Sequence, residues 1–98
     1  MKKTIAIAKL RARTRTQQRM GATSLYLFGS TARDAPNKGS DVDVFIEYDP
    51  KSDFSLIELV GIKLYLEDEL DAPIDVATRD GLHPTLRKSI EQSAIRIF

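Results

Sequence analysis

The chain has 98 residues, of which 30% are charged, with a net charge of +1, and this length is typical of one domain. It contains no cysteine, which excludes a disulfide framework and a thiolate metal site and makes a cytoplasmic location the expectation. Its apolar runs reach about five residues, against the roughly 20 that a membrane-spanning helix needs, so no membrane span is predicted.

Charge is distributed unevenly along the chain. The first 33 residues contain eight basic residues and no acidic one, whereas residues 34–80 contain thirteen acidic residues and four basic ones. This asymmetry has two interpretations, a face that binds nucleic acid or phosphate and a solvated basic helix. No aromatic residue precedes Tyr26, which argues against single-strand binding and makes a nucleic-acid partner unlikely.

The first third of the chain predicts a helix, a strand and a second, short helix. Residues 4–20 form the basic helix, which Gly21 ends after basic residues that suit the helix dipole. The run Ser-Leu-Tyr-Leu-Phe over residues 24–28 predicts a short buried strand, broken by Gly29. A short helix is expected over about residues 30–34.

Two further strands and two further helices are expected beyond the glycine. Strands are predicted over residues 41–48 and 73–77, and a final helix runs from the His-Pro pair toward Ile95. Between the strands, residues 53–70 predict a helix in which Ser55 and Glu58 have capping-box spacing. The apolar stripe of that helix is predicted to comprise Leu56, Leu59, Val60 and Leu64, with Ile57 beside them. The alternation predicts an α/β arrangement in which helices pack against a sheet.

Two carboxylates stand two positions apart in the clearest strand. The period of two places Asp41 and Asp43 on the same strand face, roughly 6–7 Å apart at the backbone. Like charges at that distance repel unless a cation lies between them, and Mg²⁺ binds carboxylates together with substrate phosphates. Taken alone, this pattern is more typical of a solvated strand face.

A glycine and a serine follow the first strand. Gly29 permits a sharp turn with close approach of backbone amides to a ligand, and the Ser30 hydroxyl can donate to a phosphate oxygen. Arg33, one turn later, could add a charge-assisted bond to the same phosphates. An ordinary strand-to-helix turn accounts equally well for the glycine and serine by themselves.

The combination of the two motifs is far more specific. Gly29-Ser30, ten residues and then Asp41-x-Asp43 resembles the signature of the DNA polymerase beta-like nucleotidyltransferase superfamily. A chance match in a chain of this length has a probability of about one in a thousand. Within that superfamily the chain resembles the minimal nucleotidyltransferase branch, through three segments: Leu-Tyr-Leu-Phe-Gly-Ser-Thr-Ala-Arg, Gly-Ser-Asp-Val-Asp-Val-Phe-Ile and Leu-Val-Gly-Ile-Lys-Leu-Tyr-Leu-Glu.

The resemblance covers about residues 24–98 and implies an α+β nucleotidyltransferase fold with a small mixed sheet. Residues 1–98 would then be one domain, with the basic helix over residues 1–20 and the catalytic core over residues 24–98. The family expects a third carboxylate in a later strand, and Asp75 fits it. The resemblance implies that two Mg²⁺ ions are held by Asp41, Asp43 and Asp75, and that ATP is held by Gly29, Ser30 and Arg33.

Members of this branch commonly occur as antitoxins beside a HEPN-type ribonuclease toxin. The resemblance therefore implies a hetero-oligomer in which this chain transfers AMP from ATP to a tyrosine of such a toxin. An alternative is a binding module that neutralises its partner by contact alone, without catalysis. Nucleic-acid binding through the basic helix is a third possibility, with salt-dependent and sequence-independent affinity.

Overall fold

The computed structural model describes residues 1–33 and 42–98. The helices are α1 (Lys3–Ala12), α2 (Thr14–Arg19), α3 (Gly29–Ala32), α4 (Leu56–Leu70) and α5 (Pro84–Ser93), with a 3-10 turn at Arg79–Gly81. The strands are β1 (Ser24–Phe28), β2 (Val42–Glu47), β3 (Ile74–Thr78) and β4 (Ile95–Arg96). Apart from β4 and a break in the first helix, these elements follow the predicted order.

The four strands form one mixed sheet in the order β3-β2-β1-β4. Strands β2 and β3 are parallel, whereas β1 is antiparallel to both β2 and β4. The prediction of a small mixed sheet with helices packed against it is confirmed.

The final helix, expected to run toward Ile95, ends at Ser93, and Ile95 instead pairs with Leu27. Pairing of a two-residue edge strand depends on its neighbour in space, so local periodicity could not reveal it.

The N-terminal basic segment is two helices, so the prediction of one continuous helix over residues 4–20 was wrong at Arg13. The buried Gln17 side chain lies at the break, where its Nε2 donates to the carbonyl oxygens of Leu10 at 3.0 Å and Arg13 at 3.2 Å. Each of these oxygens also accepts a backbone N–H, from Arg13 at 3.2 Å and from Gln17 at 3.1 Å respectively, so the side-chain amide adds a second donor to two carbonyl groups at the break.

The main core lies between one face of the sheet and helices α1 and α4. Its buried members are Ala6, Leu10, Ala22, Leu25, Leu27, Ala32, Val42, Val44, Ile46, Ile62, Leu66, Leu70, Ile74 and Ile97. Apolar burial is the main favourable contribution to folding, so this layer fixes which sheet face remains available for chemistry.

Helix α4 turns a different side to the core from the one predicted. Ile62, Leu66 and Leu70 are its fully buried residues. The predicted stripe members Leu56, Val60 and Leu64, together with Ile57, are exposed, and only Leu59 packs against the core. Since α4 carries apolar side chains on several sides, their spacing alone did not determine the buried one.

Both ends of α4 are fixed by polar contacts. The predicted capping box is present: Ser55 accepts from Ile57 N–H, and the Glu58 carboxylate accepts from Ser55 N–H at 2.9 Å. Near the C-terminal end, Glu67 accepts from the backbone N–H of Ile74 at 3.1 Å, which ties α4 to the start of β3.

Within residues 1–33 and 42–98, no helix has the length and apolarity that crossing a membrane requires.

Candidate functional site

Strand β2 divides its side chains between the core and the opposite face of the sheet. Val42, Val44 and Ile46 enter the core, as the predicted alternation requires. Asp43 and Phe45 lie on the other face, which we call the site face. On this face Asp43 is partly buried and Phe45 is fully buried.

The parallel pairing of β2 with β3 brings two of the predicted acids together. Asp43 and Asp75 are direct register partners, and we call these two residues the acid pair. Neighbouring strands lie about 4.8 Å apart, so the two side chains leave the sheet side by side on the same face. Asp75 is exposed. This arrangement places two carboxylates where an incoming polyphosphate or cation can reach them.

The predicted glycine turn lies directly against Asp43. Strand β1 ends at Phe28, the register partner of Asp43, and the next residue, Gly29, has a φ of +77°. A Cβ atom added to Gly29 would stand 3.2 Å from Cγ and 3.3 Å from Cβ of Asp43 and would overlap its carboxylate oxygen. Only glycine meets both the backbone conformation and the space here without strain.

The remaining predicted residues continue from this turn. Ser30 is half-buried in α3 and directly follows Gly29, the residue that lies against Asp43. Arg33 is exposed at the C-terminal end of α3, where its N–H donates to the Gly29 carbonyl at 3.2 Å. Asp41, which was predicted to share a strand face with Asp43, lies outside the described residues.

The chemistry of this donor set suits a hard divalent cation. Oxygen donors from carboxylates are the ligands that Mg²⁺ takes in proteins, and Asp43 with Asp75 provides two of them side by side. Over residues 1–33 and 42–98, no cluster of three or more potential metal ligands is found. The third carboxylate of the predicted set, Asp41, is not among those residues.

Aromatic residues on the site face were missed by the motif analysis. The rings of Tyr26 and Phe45 stack with centroids 4.7 Å apart, and Phe28 meets Phe45 at 5.7 Å. Their signal in the sequence was the alternation of Tyr26 and Phe28 with core leucines in β1. The three rings form a continuous apolar surface on the sheet, which we call the aromatic floor. This floor begins beside Asp43 and extends along the sheet away from it.

Arg79 covers the far end of this floor. Its guanidinium lies 4.8 Å from the centre of the Tyr26 ring, a cation–π distance. It also forms ion pairs with Glu47 at 3.6 Å and with Glu91 of α5 at 3.4 Å. Arg79 therefore links α5 to the sheet and closes the floor at the end away from the acid pair.

A second polar group lies beyond Arg79. The hydroxyl of Tyr48 donates to Asp80 at 2.9 Å. Hydrogen bonds from Thr78 and then Tyr48 lower the pKa of Asp80, and the bond to Asp80 raises the pKa of Tyr48. Since Asp80 lies at the opposite end of β3 from Asp75, this pair is separate from the two carboxylates beside the glycine turn.

The chain is similar to known proteins in both sequence and fold. The family model described as "Nucleotidyltransferase domain" matches residues 7–97. A Methanocaldococcus jannaschii protein named "Putative protein adenylyltransferase" is 37% identical over 76% of this chain and 74% of its own length. A solved "Structure of putative minimal nucleotidyltransferase" is 29% identical, with a TM-score of 0.82 over 97% of this chain and 95% of that one. A "Crystal structure of the toxin-antitoxin with AMP-PNP" has the same fold, at 17% identity and a TM-score of 0.69 over 100% of this chain and 73% of that one.

Proposed function

We propose that this chain, which belongs to the nucleotidyltransferase domain family, transfers AMP from ATP to a hydroxyl group of a partner protein. The observation that carries the proposal is the contact of Gly29 with Asp43, itself the register partner of Asp75. This contact places the turn that is proposed to bind phosphate beside two carboxylates on one face of the sheet. Such a juxtaposition suits the transfer of a phosphoryl-linked group, where catalysis is mainly positioning and charge stabilisation.

The residues take the following roles in this proposal. Backbone amides at Gly29 and the Ser30 hydroxyl bind the triphosphate, and Arg33 adds positive charge to it. Asp43 and Asp75, with Asp41, would hold two Mg²⁺ ions, which would supply the positive charge that activates the acceptor hydroxyl and stabilises the pyrophosphate leaving group. The acceptor oxygen forms a bond to the α-phosphorus as the bond to pyrophosphate breaks, and Asp75 takes the hydroxyl proton.

The acceptor is proposed to belong to a second protein. Asp75 is exposed and Asp43 is only partly buried, and the buried apolar residues of the described ranges lie mainly in one core on the other side of the sheet, so a second protein can bring the acceptor to the two carboxylates. A fold neighbour is a toxin-antitoxin solved with AMP-PNP, which supports a toxin as the partner. We therefore propose that a tyrosine of a HEPN-type toxin in the cytoplasm is the acceptor.

A direct test is incubation of the full chain with ATP, Mg²⁺ and a HEPN-type toxin, followed by mass spectrometry. The expected result is a gain of one or more AMP units on a toxin tyrosine. Asp43→Asn should abolish the gain, whereas Asp49→Asn should not, because Asn keeps the acceptor that binds Lys51 N–H in an exposed turn. Equal transfer by Asp43→Asn and the unchanged chain would exclude the assigned site.

The alternative function is neutralisation of a partner by contact alone. It is favoured by one observation, the exposed apolar side chains on α4, which need no chemistry to bind another protein. It predicts that Asp43→Asn protects cells from the toxin as well as the unchanged chain does, with no mass gain on the toxin. Protection that is lost together with the mass gain would exclude it.

A further inference from the structure

Helix α5 crosses the sheet on the site face. It connects β3 to β4, which are the two outer strands of the sheet. Its ten residues make a helix about 15 Å long, close to the roughly 14 Å that four neighbouring strands span. Arg79 lies over the Tyr26 ring on the site face and pairs with Glu91 of α5, so the helix passes over this face and not over the core face.

Apolar packing holds the two ends of this crossing but not its middle. Leu82, just before α5, is 8% exposed, and Ile95, just after it, packs against the main core. Within α5, all of which the structure describes, no residue is buried, and Leu86 is 55% exposed. Ile90 is half-buried but is not among the described residues that pack against the main core. The middle of α5 is therefore weakly packed.

A helix of this length depends on tertiary contacts. Isolated helices shorter than about 12–15 residues are marginal in water, and most helices in proteins are stabilised by packing of an apolar face. The local hydrogen bonds of α5 are few: His83 Nδ1 accepts from Thr85 N–H at 3.2 Å, and the Ser93 hydroxyl donates to the Ser89 carbonyl at 3.1 Å. Neither bond joins α5 to the sheet.

Charged groups make the link between the middle of α5 and the sheet. Arg79 pairs with Glu91 of α5 at 3.4 Å and with Glu47 of β2 at 3.6 Å. Arg87 pairs with Glu91 within the helix at 3.5 Å, and its charge also acts on Asp80. The paired side chains of Arg79 and Glu91 are 29% and 33% exposed. Ion pairs that water reaches contribute little free energy, and salt screens them.

The contact between Arg79 and Glu91 is also incomplete. Arg79 Nε is buried, and among the described residues it has no hydrogen-bond partner, so its 3.4 Å contact with Glu91 is an ion pair without a hydrogen bond. A buried donor without an acceptor costs free energy, which is recovered in any state where water reaches the donor. The closed position of α5 therefore carries a cost that opening relieves.

We propose that α5 opens by local unfolding while the sheet, α1 and α4 stay folded, and that Arg79 holds α5 closed. Segments with few buried apolar contacts open at a lower free energy than the whole domain. Opening separates Glu91 from Arg79 and uncovers part of the site face at the end away from the acid pair. This inference concerns the stability of α5 and does not depend on the proposed transfer reaction.

Amide hydrogen exchange of the full chain, followed by NMR, tests local opening. The amides of α5 should exchange at least about tenfold faster than those of β2 and α4. The variant Gln17→Ala, which destabilises the whole domain at the break between α1 and α2, should speed exchange in β2 and leave α5 unchanged. If Gln17→Ala speeds α5 and β2 equally, α5 opens only when the whole domain unfolds, and the proposal is overturned.

The role of Arg79 is tested by the same measurement. Arg79→Gln should speed exchange in α5 by about two- to fivefold, whereas Arg13→Gln, which breaks an ion pair with Glu69 of α4, is the matched control and should leave α5 unchanged. Raising NaCl from about 0.05 M to about 0.5 M should speed α5 by a similar factor in the unchanged chain, and far less in Arg79→Gln. Equal α5 exchange in Arg79→Gln and the unchanged chain, or an equal salt effect in both, would show that Arg79 does not hold α5.

Discussion

Asp43 and Asp75 stand side by side on adjacent parallel strands, and the backbone of Gly29 lies against the first of them. Two carboxylates so close together repel each other, and a divalent cation between them relieves the repulsion. The contact with Gly29 means that the turn and the acid pair cannot move independently. Anything that shifts the turn therefore shifts the carboxylate that it touches.

Replacement of Gly29 tests this coupling. In Gly29→Ala, the positive φ costs about 1–2 kcal/mol, and the new methyl group must displace the Asp43 carboxylate. We expect lower stability in chemical denaturation and a loss of transfer of about 100-fold, as for a misplaced reacting group. The matched control is Gly61→Ala within α4, where the nearest atom is Met20 Cε at 3.6 Å, and which should gain about 0.5–1 kcal/mol. Equal effects of the two changes would contradict the assignment of Gly29.

Removal of magnesium should weaken ATP binding. The triphosphate carries the same sign of charge as Asp43 and Asp75, so without a cation the site repels its substrate. In EDTA we expect the affinity measured by calorimetry to fall by about tenfold or more. The double variant Asp43→Asn with Asp75→Asn should lose most of this dependence on magnesium, because it lacks the repelling charges. The site is excluded if ATP binds the unchanged chain equally well with and without magnesium.

Acid should weaken the junction between α4 and β3. The hydrogen bond from the Ile74 N–H, and then the bond from Lys63, hold the pKa of the Glu67 carboxyl below its ordinary value. A pKa that is lower in the folded state contributes stability at neutral pH, and this stability is lost as the pH falls below about 4.3. Glu67→Gln should therefore lower the Tm at pH 7, and its Tm should approach that of the unchanged chain at pH 3.

The control for this pH series is Asp68→Asn, at an exposed acid one residue along the same helix. Its Tm should follow that of the unchanged chain across the whole range. If the Glu67→Gln and unchanged chains keep a constant difference in Tm from pH 7 to pH 3, Glu67 does not provide the junction.

Gln17 should be required for the packing of the basic helices. Its side chain is fully buried and donates to two carbonyl oxygens at the break between α1 and α2. Gln17→Ala removes both bonds and leaves a cavity, so a loss of about 2–4 kcal/mol is expected in urea denaturation. Gln18→Ala changes an exposed neighbour of the same type and should stay within about 0.5 kcal/mol of the unchanged chain. Similar losses in both variants would show that the segment depends on helix propensity instead.

Much of the strand content could be predicted because the signals for a strand lie within a short segment of the sequence. The run over residues 24–28 is β1 as predicted, and the predicted capping pair Ser55 and Glu58 is present, although α4 begins at Leu56 and not at residue 53 as predicted. Burial on both sides of β2 was only partly predicted. The period of two places Phe45 on the same face as Asp43, yet Phe45 is fully buried because Tyr26 and Arg79 cover it.

The orientation of α4 shows where local reasoning failed. Leu56, Val60 and Leu64 have the spacing of a core stripe, but so do Ile62, Leu66 and Leu70, and the fold buries the second set. The free energy of burial depends on which side fits against the sheet and α1. The sequence of the helix by itself contains no information about that fit.

The sequence alone determined the residue types of the site and their order, Gly29-Ser30 followed by paired acids, because turn geometry and strand alternation are short-range properties of the chain. Only the tertiary structure decided that Asp75 is the register partner of Asp43, that Gly29 touches that carboxylate, and that α4 leaves an apolar row outside. These outcomes depend on strand register and on packing between distant segments. They are set by hydrogen bonds and buried area summed over the whole domain, which no short segment specifies.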